Sequence, residues 1–143
     1  MMLSTKLTLK DNMAFSIDMQ GHTIMIDAVP QDGGGDTAGP TPKALLLAAL
    51  GGCTAMDVIS ILRKMRNEPE RFEVTVESGS TDEHPKILKD VVITYSFTGD
   101  LSADNVKKAV TLSSEKYCGV SAMLKKSTDI AHRIFINDVE ITG

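Results

Sequence analysis

Hydrophobic and polar positions change their period several times along the chain. Near the start they alternate: Lys6 to Leu9, then Phe15, Ile17 and Met19, then, after the turn Gln20-Gly21, Ile24, Ile26 and Ala28. A period of two marks half-buried strands, so this third of the chain predicts three short ones. A glycine-rich loop over residues 30–36 follows. It lacks both the Gly-Lys-Ser/Thr ending of a phosphate loop and the spaced glycines of a dinucleotide fingerprint, and reads as a surface connection.

The pattern then turns helical. Thr41 suits an N-cap and Pro42 the first helical position, where its missing N–H costs nothing. Thirteen residues without a charge, Ala44 to Met56, lead into a helix expected to end near Arg66, before Asn67-Glu68-Pro69. Its first half is apolar all round, which predicts contact on every side. A chain of 143 residues has difficulty enclosing one helix completely, so a partner subunit is expected to cover the remaining face.

Two more alternating runs follow, Phe72, Val74, Val76 and then Val91, Ile93, Tyr95, Phe97, predicting an antiparallel pair of strands. Ser102 can cap a second helix that turns Val106, Ala109, Val110 and Leu112 inward. That helix is expected to end near Tyr117-Cys118-Gly119, with Gly119 as its stop and Cys118 partly accessible at the turn. A short helix over residues 120–126 and one last strand around Ile134, Ile136, Val139 and Ile141 complete the reading. Strands and helices come in groups, so the expected class is α+β, in a single domain spanning residues 1–143.

Charge and composition narrow the partners. A net charge of −4, no Trp, four Phe and two Tyr offer neither the basic face nor the stacking platforms of a nucleic-acid binder. The thirteen-residue apolar run is short for a bilayer and reads as a core helix, and the N-terminus has no signal-peptide pattern. Two cysteines without an export signal point to a reducing, cytoplasmic setting in which a disulfide is transient and chemical.

The candidate chemistry lies in those cysteines. Cys53 follows Gly51-Gly52 inside the apolar helix, and Cys118 stands 65 positions later. This spacing is neither a Cys-x-x-Cys redox loop nor a zinc ribbon, so no metal site is expected. Two helical glycines imply the close approach of another segment, or room beside the sulfur. A reactive thiol must ionise, and burial opposes that unless a cation or donor is near. Asp57, one helical turn beyond Cys53, works against it; Lys43, Lys116, Arg63 and Arg66 are the candidate cations, none fixed beside Cys53 by local spacing. His22, His84 and His132 are scattered, His84 before Pro85 reads as a turn residue, and Lys125-Lys126 as a solvated face. Cys53 is thus either an inert core thiol or a protected nucleophile.

Three stretches resemble the OsmC/Ohr-like family of thiol-dependent peroxidases: Pro42-Lys43-Ala44-Leu45-Leu46 leading to Gly52-Cys53, His84-Pro85 before a strand, and Lys116-Tyr117-Cys118-Gly119-Val120. The run Leu50-Gly51-Gly52-Cys53-Thr54-Ala55-Met56-Asp57-Val58 looks most like the YhfA-like branch of that family. The resemblance implies an intertwined homodimer, with antiparallel sheets around a long buried central helix. It also implies that Cys53 attacks a small organic hydroperoxide and becomes a sulfenic acid. Cys118 then closes a disulfide that a dithiol or thiol protein reduces, with no cofactor and no membrane. The family's peroxidases set an arginine and a glutamate beside the thiol. Here Lys43 stands at the glutamate's position and no arginine precedes Arg63. That departure keeps two further readings in play: a non-catalytic small-molecule-binding dimer and a redox sensor.

Overall fold

The computed structural model describes residues 2–30 and 36–142; residues 31–35 of the expected glycine-rich loop lie outside them. The chain divides into two units, Met1–Leu46 and Leu47–Gly143.

In the first unit the three alternating runs form β1 (Lys6–Asp11), β2 (Ala14–Met19) and β3 (His22–Ile26), an antiparallel sheet in the order β1-β2-β3. The turn between β2 and β3 falls at Gln20-Gly21, both in the left-handed region (φ 50° and 79°). Asp27 then ties the returning chain to the sheet. Its backbone N–H donates to the Pro40 carbonyl at 3.0 Å, and its carboxylate accepts from the N–H groups of Ala28 and Ala38. Gly39 is required here, because a Cβ at this position would collide with the Met25 carbonyl.

Helix α1 spans Pro42–Lys64. The Ala44 N–H donates to Thr41 Oγ1 at 3.4 Å, the expected N-cap. At the other end Arg66 is left-handed (φ 55°), the Arg66 N–H bonds the Arg63 carbonyl, and the Asn67 N–H bonds the Leu62 carbonyl. These two bonds make a Schellman stop with an arginine in the usual glycine place. Within one chain α1 buries a single face, Leu50, Gly51, Thr54, Val58 and Leu62, and leaves Met56 73% exposed.

The second unit is built on β4 (Arg71–Ser80), β5 (Leu88–Thr98), β6 (Ile130–Ile136) and β7 (Val139–Ile141), in that order across one sheet. Val91, Ile93, Tyr95 and Phe97 on β5 all point into the core, as their alternation predicts. Phe97 stacks on Phe72 of β4 with centroids 4.5 Å apart. Gly51 of α1 faces β4: a Cβ there would stand 2.9 Å from Val76 Cγ2, whereas Gly52 next to it meets nothing within 4 Å. One glycine therefore serves close packing, while a Cβ on the other would meet open space.

Three expectations need correction. The last strand is two: Asn137 and Asp138, both left-handed (φ 50° and 66°), turn the chain between β6 and β7. The sheet is mixed, because β6 lies parallel to β5, and such a pair requires the long crossover that the helices provide. Finally, α2 (Ala103–Leu112), capped by Ser102 Oγ as expected, runs into one π-helical turn at Ser113–Tyr117. Cys118 is extended (φ −77°, ψ 102°) and Gly119 starts α3 (Gly119–Leu124) instead of ending α2. The break is set by the wide turn and the cap that follows it.

Candidate functional site

The fold brings the two cysteines together. Cys53 Sγ, Cys118 Sγ and a carboxylate oxygen of Asp57 all lie within 4.8 Å of one another. Cys53 and Asp57 stand one turn apart on α1, and the turn between α2 and α3 delivers Cys118. No histidine among the described residues joins the three. His84 is exposed in the β4–β5 connection and His22 is exposed on β3.

Cys118 is buried, 3% exposed, against the expectation of an accessible turn residue. It caps α3 from inside: the Ser121 N–H donates to Cys118 Sγ at 3.3 Å, while the buried Ser121 hydroxyl has no partner among the described residues. Burial pushes the Cys118 thiol up to about 11; the Ser121 N–H pulls it back in part, and Cys53 and Asp57 add to the rise. None of the groups acting on it is a cation. Of the candidate cations, Arg63 pairs with Glu68 at 2.9 Å, Lys116 lies over the Tyr117 ring, and Lys43 is exposed ten residues before Cys53 on α1.

Asp57 also starts a line of hydrogen bonds. Ser113 Oγ donates to Asp57 Oδ2 at 2.9 Å, Thr54 Oγ1 lies 3.0 Å from both Ser113 Oγ and Tyr95 OH, and Tyr95 OH lies 3.1 Å from His132 Nδ1. Thr54, Ser113 and Tyr95 are at most 1% exposed. Burial lifts the Tyr95 phenol to about 12, the Thr54 hydrogen bond lowers it in part, and Cys118 and Asp57 raise it further, so the ring stays neutral. His132 is held below the usual histidine value by burial and then by Lys125. Each end of the line reaches a groove. Asp57 lines one of about 480 Å³ with Ser60, Lys64, Met65, Lys108 and Tyr117. His132 lines one of about 420 Å³ with Lys107, Ser114, Arg133 and Glu140.

The sequence reading missed Thr54, Ser113 and Tyr95 and left His132 among the scattered histidines. A threonine within the apolar run of α1 and a tyrosine at an inward position of β5 were the available signals, since a buried hydroxyl needs a partner.

The raised thiol and phenol make stability depend on alkaline pH. Unfolded, they ionise at their ordinary values of 9.0 and 10.0; folded, they keep their protons to about 11 and about 12. Between these limits the unfolded chain binds fewer protons, so their contribution is complete below the ordinary thiol value and is lost as pH rises through the folded values. Urea midpoints should fall across that window, and Cys118→Ser should flatten its lower part. A constant midpoint would contradict the burial of both groups.

Comparison with known proteins gives this pocket its context. The family model "OsmC-like protein" matches residues 33–133. The chain belongs to the OsmC-like family. The protein YhfA of Escherichia coli K12 is 41% identical over 113 residues, 78% of this chain and 81% of YhfA. A hypothetical protein from Aquifex aeolicus VF5 has the same OsmC fold, with a TM-score of 0.85, 28% identity, and coverage of 96% of this chain and 97% of that one. The organic hydroperoxide resistance protein OhrB of Bacillus subtilis shares the fold at a TM-score of 0.70 and 15% identity, over 94% of this chain and 98% of OhrB.

Proposed function

We propose that this OsmC-like chain is a cytoplasmic thiol peroxidase that reduces small organic hydroperoxides through Cys53 and Cys118. The carrying observation is the convergence of two thiols 65 positions apart to within 4.8 Å, in a fold shared with proteins named for organic hydroperoxide resistance. Cys53, half-buried where Cys118 is buried, is the more accessible sulfur and takes the role of nucleophile. Its thiolate attacks the distal peroxide oxygen. The S–O bond forms, the O–O bond breaks, and the alkoxide leaves as alcohol after taking a proton, so the sulfur becomes a sulfenic acid. Cys118, held as a neutral thiol, then displaces water to form the disulfide, which a dithiol or thiol-protein reductant returns to two thiols. No metal or cofactor enters this cycle. The uncovered apolar side of α1, with Met56 outward, supports a homodimer in which a second copy covers the helix.

One observation favours redox sensing as the second reading: the charged group acting on Cys118 is Asp57, an anion, which slows thiolate formation. Coupled to a dithiol, Cys53→Ser should lose all hydroperoxide consumption above the uncatalysed rate. Consumption at the parent rate in that variant would remove Cys53 from the chemistry. Stoichiometric oxidation of the parent, without recycling, would make the protein a sensor.

A further inference from the structure

The atoms that pair the thiols also make a donor set for a soft cation. Two sulfurs and a carboxylate oxygen lie within 4.8 Å of one another, with Cys53 and Asp57 half-buried and Cys118 buried. Atoms so spaced share a point within about 2.8 Å of each. Bonds of about 2.3 Å from zinc to sulfur and about 2.0–2.2 Å to oxygen therefore need closures of less than about 1 Å. Helical periodicity sets Cys53 and Asp57 on one face of α1, and the extended Cys118 arrives from the turn before α3. The spacing of 65 residues excludes a zinc ribbon but not a site that the fold assembles.

Two further contacts hold the donors in place. The Ser113 hydroxyl donates to Asp57 Oδ2 at 2.9 Å and the Ser121 N–H to Cys118 Sγ at 3.3 Å, outer partners of the kind that orient metal ligands. No cation is among the groups acting on Cys118, so a divalent ion would supply the missing counter-charge. Two thiolates select a zinc-like ion over magnesium or calcium, which surround themselves with oxygen. Asp57 lines the groove of about 480 Å³, which gives an ion a path in and a water a place to complete the coordination. Lys64 and Lys108 on that groove repel cations, so affinity has to come from the ligand bonds and not from long-range attraction.

We propose that reduced Cys53 and Cys118, with Asp57, bind one Zn²⁺ per chain with water as fourth ligand, and that closing the Cys53–Cys118 disulfide expels it. Binding exchanges the proton on each thiol for a bond to zinc. When an organic hydroperoxide oxidises the pair, the two sulfurs give up two electrons and join. The O–O bond takes those electrons and two protons to become alcohol and water, and the zinc leaves as Zn²⁺. Binding stands apart from the peroxidase reading; only expulsion by peroxide rests on it.

Metal-free protein, reduced with a phosphine and titrated with Zn²⁺ against a chromophoric chelator, should take up one ion per chain. Co²⁺ as probe should show thiolate charge-transfer absorption and tetrahedral ligand-field bands. Losing outer partners alone costs about 10- to 100-fold in metal affinity, so Cys53→Ser should weaken Zn²⁺ binding by more than about 100-fold. Asp57→Asn, which keeps the side chain's size, should weaken it by about tenfold or more. Urea midpoints would establish that both variants are folded. Parent oxidised with diamide should bind none. No uptake by the reduced parent overturns the site, as does a six-coordinate Co²⁺ spectrum without a thiolate band. Uptake by folded Cys53→Ser equal to the parent's also overturns it, placing the ion on exposed groups such as His22 or His84. Disulfide formation by hydroperoxide in a parent that takes up no zinc overturns the site and leaves the peroxidase reading standing. A metal-free parent that ignores hydroperoxide, yet binds Zn²⁺ and releases it to diamide, overturns the peroxidase reading and leaves the site standing.

Discussion

Cys118→Ser is expected to stop the cycle after its first step. The variant should consume one equivalent of an organic hydroperoxide and stall as a Cys53 sulfenic acid, because no second thiol stands within the 4.8 Å cluster. A dimedone adduct at Cys53, absent from the parent after the same exposure, would identify it. Further peroxide should drive the stalled sulfur to sulfinic acid, a product that ordinary dithiols do not reverse. Cys118 is buried and its thiol is raised to about 11, so it does not compete as the first nucleophile; it reacts once Cys53 presents an electrophilic sulfur beside it. Dithiol-dependent turnover in Cys118→Ser at the parent rate would show that an external thiol, not Cys118, resolves the intermediate.

The largest effect on stability should come from Phe97→Ala. Phe97 is 2% exposed, pairs in register with Phe72 across β4 and β5, and stacks on it almost in parallel. Truncation removes the ring from the strand between β4 and β6 and leaves a cavity beneath Phe72. Phe-to-Ala changes in cores cost about 3–5 kcal/mol, against a total of about 5–15 kcal/mol for a typical domain. Urea denaturation should show a midpoint far below the parent's. Met56→Ala is the control: at 73% exposure it removes little packing within one chain, so any sizeable loss there would report the covering of α1 by a second copy. A Phe97→Ala midpoint equal to the parent's would contradict the core described for this unit.

How far the sequence could be read depended on the kind of interaction. Alternation placed β1 to β5, because burial on one face writes a period of two directly into the chain. Thr41 and Ser102 marked helix starts because an N-cap is a local device, and both caps are present. The π-helical turn at Ser113–Tyr117 has no such local signature, so the break at Cys118 was misplaced and Gly119 was read as a stop. The parallel pairing of β5 and β6 was equally hidden, since nothing in the residues between them encodes direction. Cys53 and Cys118 were paired by family resemblance, not by spacing. Asp57 could be placed near Cys53 by helical periodicity alone. Thr54, Ser113 and Tyr95 escaped notice because an uncharged hydroxyl becomes informative only when its buried partners are known. His132 could be distinguished from the other two histidines only by the strand that carries it under Tyr95.

The central claim, that Cys53 and Cys118 work as one redox pair, is tested most directly by intact mass and peptide mapping. The fully reduced protein would be given one equivalent of an organic hydroperoxide. The account predicts rapid loss of two hydrogens and a single Cys53–Cys118 cross-linked peptide, with neither appearing in Cys53→Ser. An unchanged mass over minutes, or a disulfide formed only between chains, would contradict it.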